Sequence, residues 1–185
     1  MIVIGVTGHR FLVEVNKLQV GIDQALARIH DRWPGEAWSV ISCLAEGADR
    51  LVVERTQALR PAARLMAVLP LPVEDYQADF TSAESRLEFQ QLLNLASETI
   101  RLPAAATRDE AYWAGGMYVL AHATVLIALW DGQGAQGKGG TGEIVTQARQ
   151  QGLPLAWIKC GNRQPGTNSG GNLEKEQGKV SFERF

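Results

Sequence analysis

Cysteine, excess basic charge and long apolar runs are all scarce in this sequence, and each shortage removes a class of protein. Two cysteines, Cys43 and Cys160, in 185 residues are too few for a disulfide framework and lack a CxxC spacing. They read as reduced structural thiols, and MIVIGVTGHR, with no basic n-region and only a short apolar run, reads as a first strand rather than a signal peptide, so a cytoplasmic protein is expected. No apolar stretch is long enough to span a bilayer, so no membrane is expected as partner. Eighteen Lys and Arg stand against twenty Asp and Glu, a formal charge of -2. Nucleic acid is therefore not expected as a partner, because backbone affinity rests on clustered cations. The three histidines include His30 and His122 in helical stretches without partners at metal-ligand spacing, so no metal site is expected.

What is present is an alternation of short β-branched runs with longer amphipathic stretches. Strands are expected near Ile2 to Val6, Trp38 to Cys43, Arg64 to Leu69, Glu98 to Leu102, Thr124 to Trp130 and Leu153 to Ile158. Between them, Leu18, Ile22, Ala25, Ile29 and Trp33 mark one helix face, and further helices are expected near 48–59, 82–96, 108–123 and 141–151. Runs such as VLIALW are apolar on both faces, as in a sheet covered on each side. The expected fold is α/β: a Rossmann-like, doubly wound, mainly parallel sheet of about six strands with helices on both faces. One domain is expected over residues 1–160. Residues 161–185, rich in Gly, Asn, Gln and charge, are expected to form a flexible polar tail whose closing Val180-Ser181-Phe182 either docks or stays disordered.

In such sheets ligands bind beyond the carboxyl ends of the strands, so the loops there are the candidates. After the fifth strand, Asp131 leads into GQGAQGKGGTGEIV, where glycines at a helix start suit a phosphate. Gly132 to Lys138 reads GxxxxGK and Gly137 to Gly142 reads GxGxxG, but neither follows a first strand and the Ser/Thr of a P-loop is replaced by Gly139. The candidate phosphate contacts in this loop are Gly139, Gly140, Thr141 and Gly142. The first strand ends in Thr7-Gly8-His9-Arg10, whose arginine offers a planar fork to a phosphate, while His9 reads either as an acid/base or as a structural imidazole. After the second strand, Glu46, Gly47 and Asp49 open a helix, placed either to cap it or to face a ribose. Tyr112 adds an aromatic face, and Gly115 and Gly116 in the same helix imply a close neighbour. The loop holding Asp75-Tyr76 and Asp79-Phe80 has the length of a lid, its aromatics free either to stack on a base or to pack.

Together GVTGHR, LAEGADRLV, VLPLP, YWAGGMYV and LIALWDG…GKGGTGEIV resemble the SLOG domain group, over about Met1 to Ile158. This group joins nucleotide-related sensor domains to the LOG phosphoribohydrolases, molybdenum-cofactor carrier-like proteins and DNA-processing-protein-A-like Rossmann folds. The resemblance implies a self-associating domain, a homo-oligomer, that binds a small phosphate-bearing ligand. It names no certain cofactor beyond a nucleotide or nucleotide derivative. The expected function is binding or sensing of a mononucleotide or an ADP-ribose-like molecule. The alternatives are a nucleoside 5′-monophosphate N-glycosidase with Glu143 or Asp49 as the key carboxylate, and a carrier of a molybdenum-cofactor type. Aligning the LOG PGGxGTxxE loop on Gly140-Thr141 places that family's glutamate at Ile144, one residue after Glu143.

Overall fold

The structure is a computed structural model and describes residues 1–134, 139–162 and 175–185. The expected glycine loop therefore loses Gly137 and Lys138, and the expected tail loses residues 163–174, all of which lie outside the described residues.

The elements run β1 (Ile2–Gly8), α1 (Val15–Arg32), β2 (Trp38–Ser42), α2 (Ala48–Leu59), β3 (Arg64–Leu69), α3 (Val73–Gln77) and α4 (Ala83–Leu95). They continue with β4 (Glu98–Arg101), α5 (Arg108–His122), β5 (Val125–Trp130), α6 (Thr141–Gln150), β6 (Leu155–Lys159) and β7 (Val180–Glu183). The strands form one sheet in the order β4-β3-β2-β1-β5-β6-β7, parallel except for the antiparallel β6–β7 pair. This is the expected doubly wound α/β fold, with strand order reversing between β1 and β5.

Alternation along β5 shows why the fold has two covered faces. Val125, Ile127 and Leu129 join the core built with Leu18 and Ile22 of α1, Val52 of α2 and Phe89 of α4. Leu126, Ala128 and Trp130 point the other way, into a second cluster with Leu120 of α5 and Ile144 of α6. All six β5 residues are buried, which is what a central parallel strand requires.

Two differences from expectation concern local elements. The segment after β3 is not an open lid: it forms α3, and Tyr76 and Phe80 are 1% and 3% exposed, stacked edge-on with Phe89. Packing won because a three-ring cluster buries more apolar area than a loop can leave exposed. The chain end also docks, since Val180 to Phe182 pair with Ile158 to Ala156 as β7. Gly178 lies so close to α1 that a Cβ there would sit 2.3 Å from the Lys17 carbonyl. Among the described residues no helix is long and apolar enough to cross a membrane.

Candidate functional site

A cleft of about 640 Å³ opens at the carboxyl ends of the strands, across the β1–β5 switch point. Its lining takes in Thr7, Gly8, His9 and Arg10 after β1, Glu46 and Asp49 after β2, Tyr112 on α5, Asp131 after β5, and Gly139 to Gly142 at the start of α6. The fold thus brings most of the expected site residues to one place. Gly47 and Glu143 are absent from the lining.

Gly47 has a different task. At φ 79° it lets the start of α2 press on the β1 loop, where an added Cβ would stand 2.2 Å from the Arg10 carbonyl. The neighbouring Ala48 N–H donates to the His9 carbonyl at 3.0 Å, fastening the two loops together. Glu143 turns back on its own loop and accepts the Gly139 N–H at 2.7 Å. Ile144, at the position aligned with the LOG glutamate, does line the cleft but is apolar, and it packs on Gly116. The mid-helix glycines of α5 are explained by neighbours within the chain: Ile144 at Gly116, and Cys43 and Pro70 at Gly115.

His9 ties β1 to β5. The Asp131 N–H donates to its Nε2 at 3.1 Å, which makes that nitrogen an acceptor and the ring neutral. Burial lowers its pKa, and the Asp131 carboxylate at 3.2 Å offsets this only in part. Asp49 is 6% exposed, and its Oδ2 accepts from the Ser42 hydroxyl at 2.8 Å and from the Ala45 N–H at 3.4 Å. Desolvation nevertheless prevails over these bonds and over Arg10, pushing its pKa up to about 6. Burial, reinforced by Asp49, pushes the Cys43 thiol well up, so it is no nucleophile.

Glu46 is committed to the protein. Burial opposes its charge, but the Ser85 hydroxyl and the Thr81 N–H and hydroxyl outweigh it and hold the carboxyl below its usual range. Asp79 is likewise taken by Arg108 at 2.8 Å and by the Tyr112 hydroxyl. Sequence reasoning passed over Arg50, which is 2% exposed and binds Leu44, Ser85 and Glu88 with its guanidinium 4.5 Å over the Phe80 ring. It staples α2 to α4, and no local pattern announces it.

Arg10 is the exception among these paired groups. Its guanidinium lies 5.3 Å over the Tyr112 ring and makes no ion pair among the described residues. Burial works against its charge, yet the tyrosines Tyr76 and Tyr112 and the carboxylate of Glu46 raise its pKa overall. It is the one arginine among the described lining residues. Beside it, α6 begins without a side-chain cap, and its first intrahelical bond to Gly140 comes from Glu143. The N–H groups of the first turn are thus available to an acceptor.

No family model matches the chain, and no curated protein matches it. A solved structure does: DNA processing protein A from Helicobacter pylori, described for its unique single-stranded DNA binding mode. The two share 16% sequence identity at a TM-score of 0.54, over 89% of this chain and 67% of that one. This finding corrects two expectations drawn from sequence. The reading as a sensor of a small nucleotide-like ligand, with its glycosidase and carrier alternatives, gives way, because the fold matched is that of a single-stranded DNA-binding protein. The exclusion of nucleic acid falls with it, and with the partner set built on a small phosphate ligand. The physical reason is that a net charge of -2 averages the whole surface and carries no information on where cations, helix-terminal N–H groups and aromatic faces are placed. The comparison establishes the chain as a Rossmann-like domain of the shape found in DNA processing protein A.

Proposed function

We propose that this domain binds single-stranded nucleic acid at the carboxyl edge of its sheet, one nucleotide entering the cleft and the adjoining backbone lying along the rim. The observation that carries the reading is Arg10, a guanidinium over Tyr112 that lines an open cleft and makes no ion pair among the described residues. An arginine held at an aromatic face beside free helix-terminal N–H groups is the arrangement that takes a phosphodiester. The volume of about 640 Å³ suits an unstacked nucleotide and cannot admit a duplex. The fold shared with DNA processing protein A supports the same reading, as does the resemblance to the DNA-processing branch of the SLOG group.

The cleft interior is acidic, with Asp49, Asp109 and Asp131 beside the committed Glu46 and Asp79. Phosphates therefore belong at Arg10 and the α6 start, and bases belong inside.

The test is fluorescence anisotropy of a labelled mixed-sequence single strand, titrated at several salt concentrations. Binding is expected to weaken with salt, and duplex of the same sequence to compete poorly. Arg10→Ala is expected to cost about tenfold in affinity, as for a lost charge-assisted hydrogen bond. It should also flatten the log–log salt slope by about 0.7, one phosphate contact on a single strand. A wild-type protein that binds no single strand at low salt would overturn the reading, and so would an Arg10→Ala variant that binds as tightly.

A further inference from the structure

Tyr76 is almost wholly buried, at 1% exposure, yet it lines the cleft. Its ring is fixed edge-on against Phe80 and Phe89, with centroids 5.0 and 5.6 Å away, so it cannot swing out as a stacking platform. That leaves the hydroxyl. Its electrostatic neighbours are Cys43, Asp49, Arg10 and Tyr112, all at the cleft, and burial keeps the phenol well above its ordinary range and therefore neutral. Among the described residues this hydroxyl makes no hydrogen bond, and it is not one of the fully buried polar atoms left without a partner, so it opens on the cleft. The Tyr112 hydroxyl, by contrast, is already spent on Asp79.

Two further polar groups in the cleft lining present acceptors. Asp49 uses Oδ2 to hold Ser42 and Ala45. Asn162, also in the lining, has a buried Oδ1 with no partner. Both present acceptors, so a complementary ligand must bring a donor. The Tyr76 hydroxyl can donate to an acceptor next to it.

We propose that Tyr76 and Asp49 read the edge of one unstacked base, favouring a base whose exocyclic amino group stands beside an unprotonated ring nitrogen. Cytosine and adenine carry that pattern. The amino N–H donates to the Asp49 carboxylate while the Tyr76 hydroxyl donates to the ring nitrogen. Uracil, thymine and guanine carry the inverse, a keto oxygen beside a ring N–H, which sets an acceptor against a carboxylate. This inference rests on the single-strand reading above and adds to it the class of base.

The experiment compares oligo-deoxycytidine with oligo-deoxyuridine of equal length, by anisotropy at pH 7.5 and one salt concentration. The two strands differ only at the amino-or-keto position and its neighbouring ring nitrogen. The wild type is expected to favour deoxycytidine by about tenfold, as for a well-made base contact. Tyr76→Phe keeps the ring packing and removes only the hydroxyl. Its preference is expected to shrink to about threefold or less, with thermal stability unchanged. Asp49→Asn, able to offer an N–H to a keto oxygen, is expected to abolish or reverse the preference. Equal binding of the two strands by the wild type would overturn the inference while leaving strand binding intact. So would a preference that survives in both variants. Failure of the wild type to bind any oligonucleotide would instead remove the single-strand reading, and this inference with it.

Discussion

Asp49 has two jobs that pull against each other. It fastens the β2–α2 loop through Ser42 and Ala45, and it keeps a carboxylate at the cleft where water is scarce. Because its pKa in the folded state is about 6, above the ordinary 3.8, its contribution favours folding at low pH and is lost as pH rises through 6. Asp49→Asn removes that loss and keeps an oxygen for Ser42. In urea unfolding at pH 7.5 the variant is expected to exceed the wild type by up to about 3 kcal/mol, from 1.36 kcal/mol per pKa unit. The gap should close as pH falls toward 4, and a gap independent of pH would refute the assignment. At this scale the sequence pointed to Thr7 through Arg10, Glu46 and Asp49 from loop position alone, and the fold gathers them at one cleft. It could not distinguish Arg10, which makes no ion pair among the described residues, from the paired Arg50, because pairing is decided by α4, some thirty-five residues further along the chain from Arg50. Nor could it separate the ring of Tyr76, which packs, from its hydroxyl, which faces the cleft residues.

Among the elements, glycines test the packing most directly. Gly47 sits at positive φ with backbone in the way of any side chain, so Gly47→Ala is expected to cost more than about 2 kcal/mol and to weaken the β1 loop with it. A Cβ at Gly116 would meet the side chain of Ile144, at Cδ1 2.4 Å and Cγ1 2.9 Å, and no backbone, so the neighbour can shift, and an alanine there gains helix propensity. Gly116→Ala is expected to stay within about 1 kcal/mol of wild type, and thermal denaturation of the pair measures the contrast. Helices α1, α2, α4, α5 and α6 were legible because their apolar spacing is long and regular. Strand β7 was not: four residues after a polar stretch carry the same local signal whether they dock or not, and the deciding energy comes from pairing with β6. For α3 the segment after Pro72 looked like a lid because its apolar residues, Tyr76 and Phe80, find ring partners in other elements, Phe89 of α4 and Tyr112 of α5.

Over the whole molecule, alternating short strands and helices were enough to give the architecture, whereas total charge is no guide to partners because it carries no position. The segment around Gln177 joins distant parts of the fold. Its side chain is 7% exposed, accepts the Gly161 N–H at 2.9 Å and donates to the Val13 carbonyl at 2.7 Å. Gln177→Ala leaves both backbone groups without their partner, and a loss of about 1–3 kcal/mol in urea unfolding is expected. Gln177→Glu keeps the first bond but sets a buried carboxylate against the Val13 carbonyl, and is expected to lose at least as much as the alanine variant.

The sheet order has a kinetic consequence. The cleft exists only once β1 lies beside β5, and that parallel pairing joins Ile4 to Val125 across most of the chain. Closing so large a loop is slow and comes before its contacts repay it. Partly folded molecules can hold α1 and β2 against β1 and still have no far wall to the cleft. During refolding, strand binding should therefore return with the slowest phase seen by far-UV circular dichroism or later, and never ahead of it.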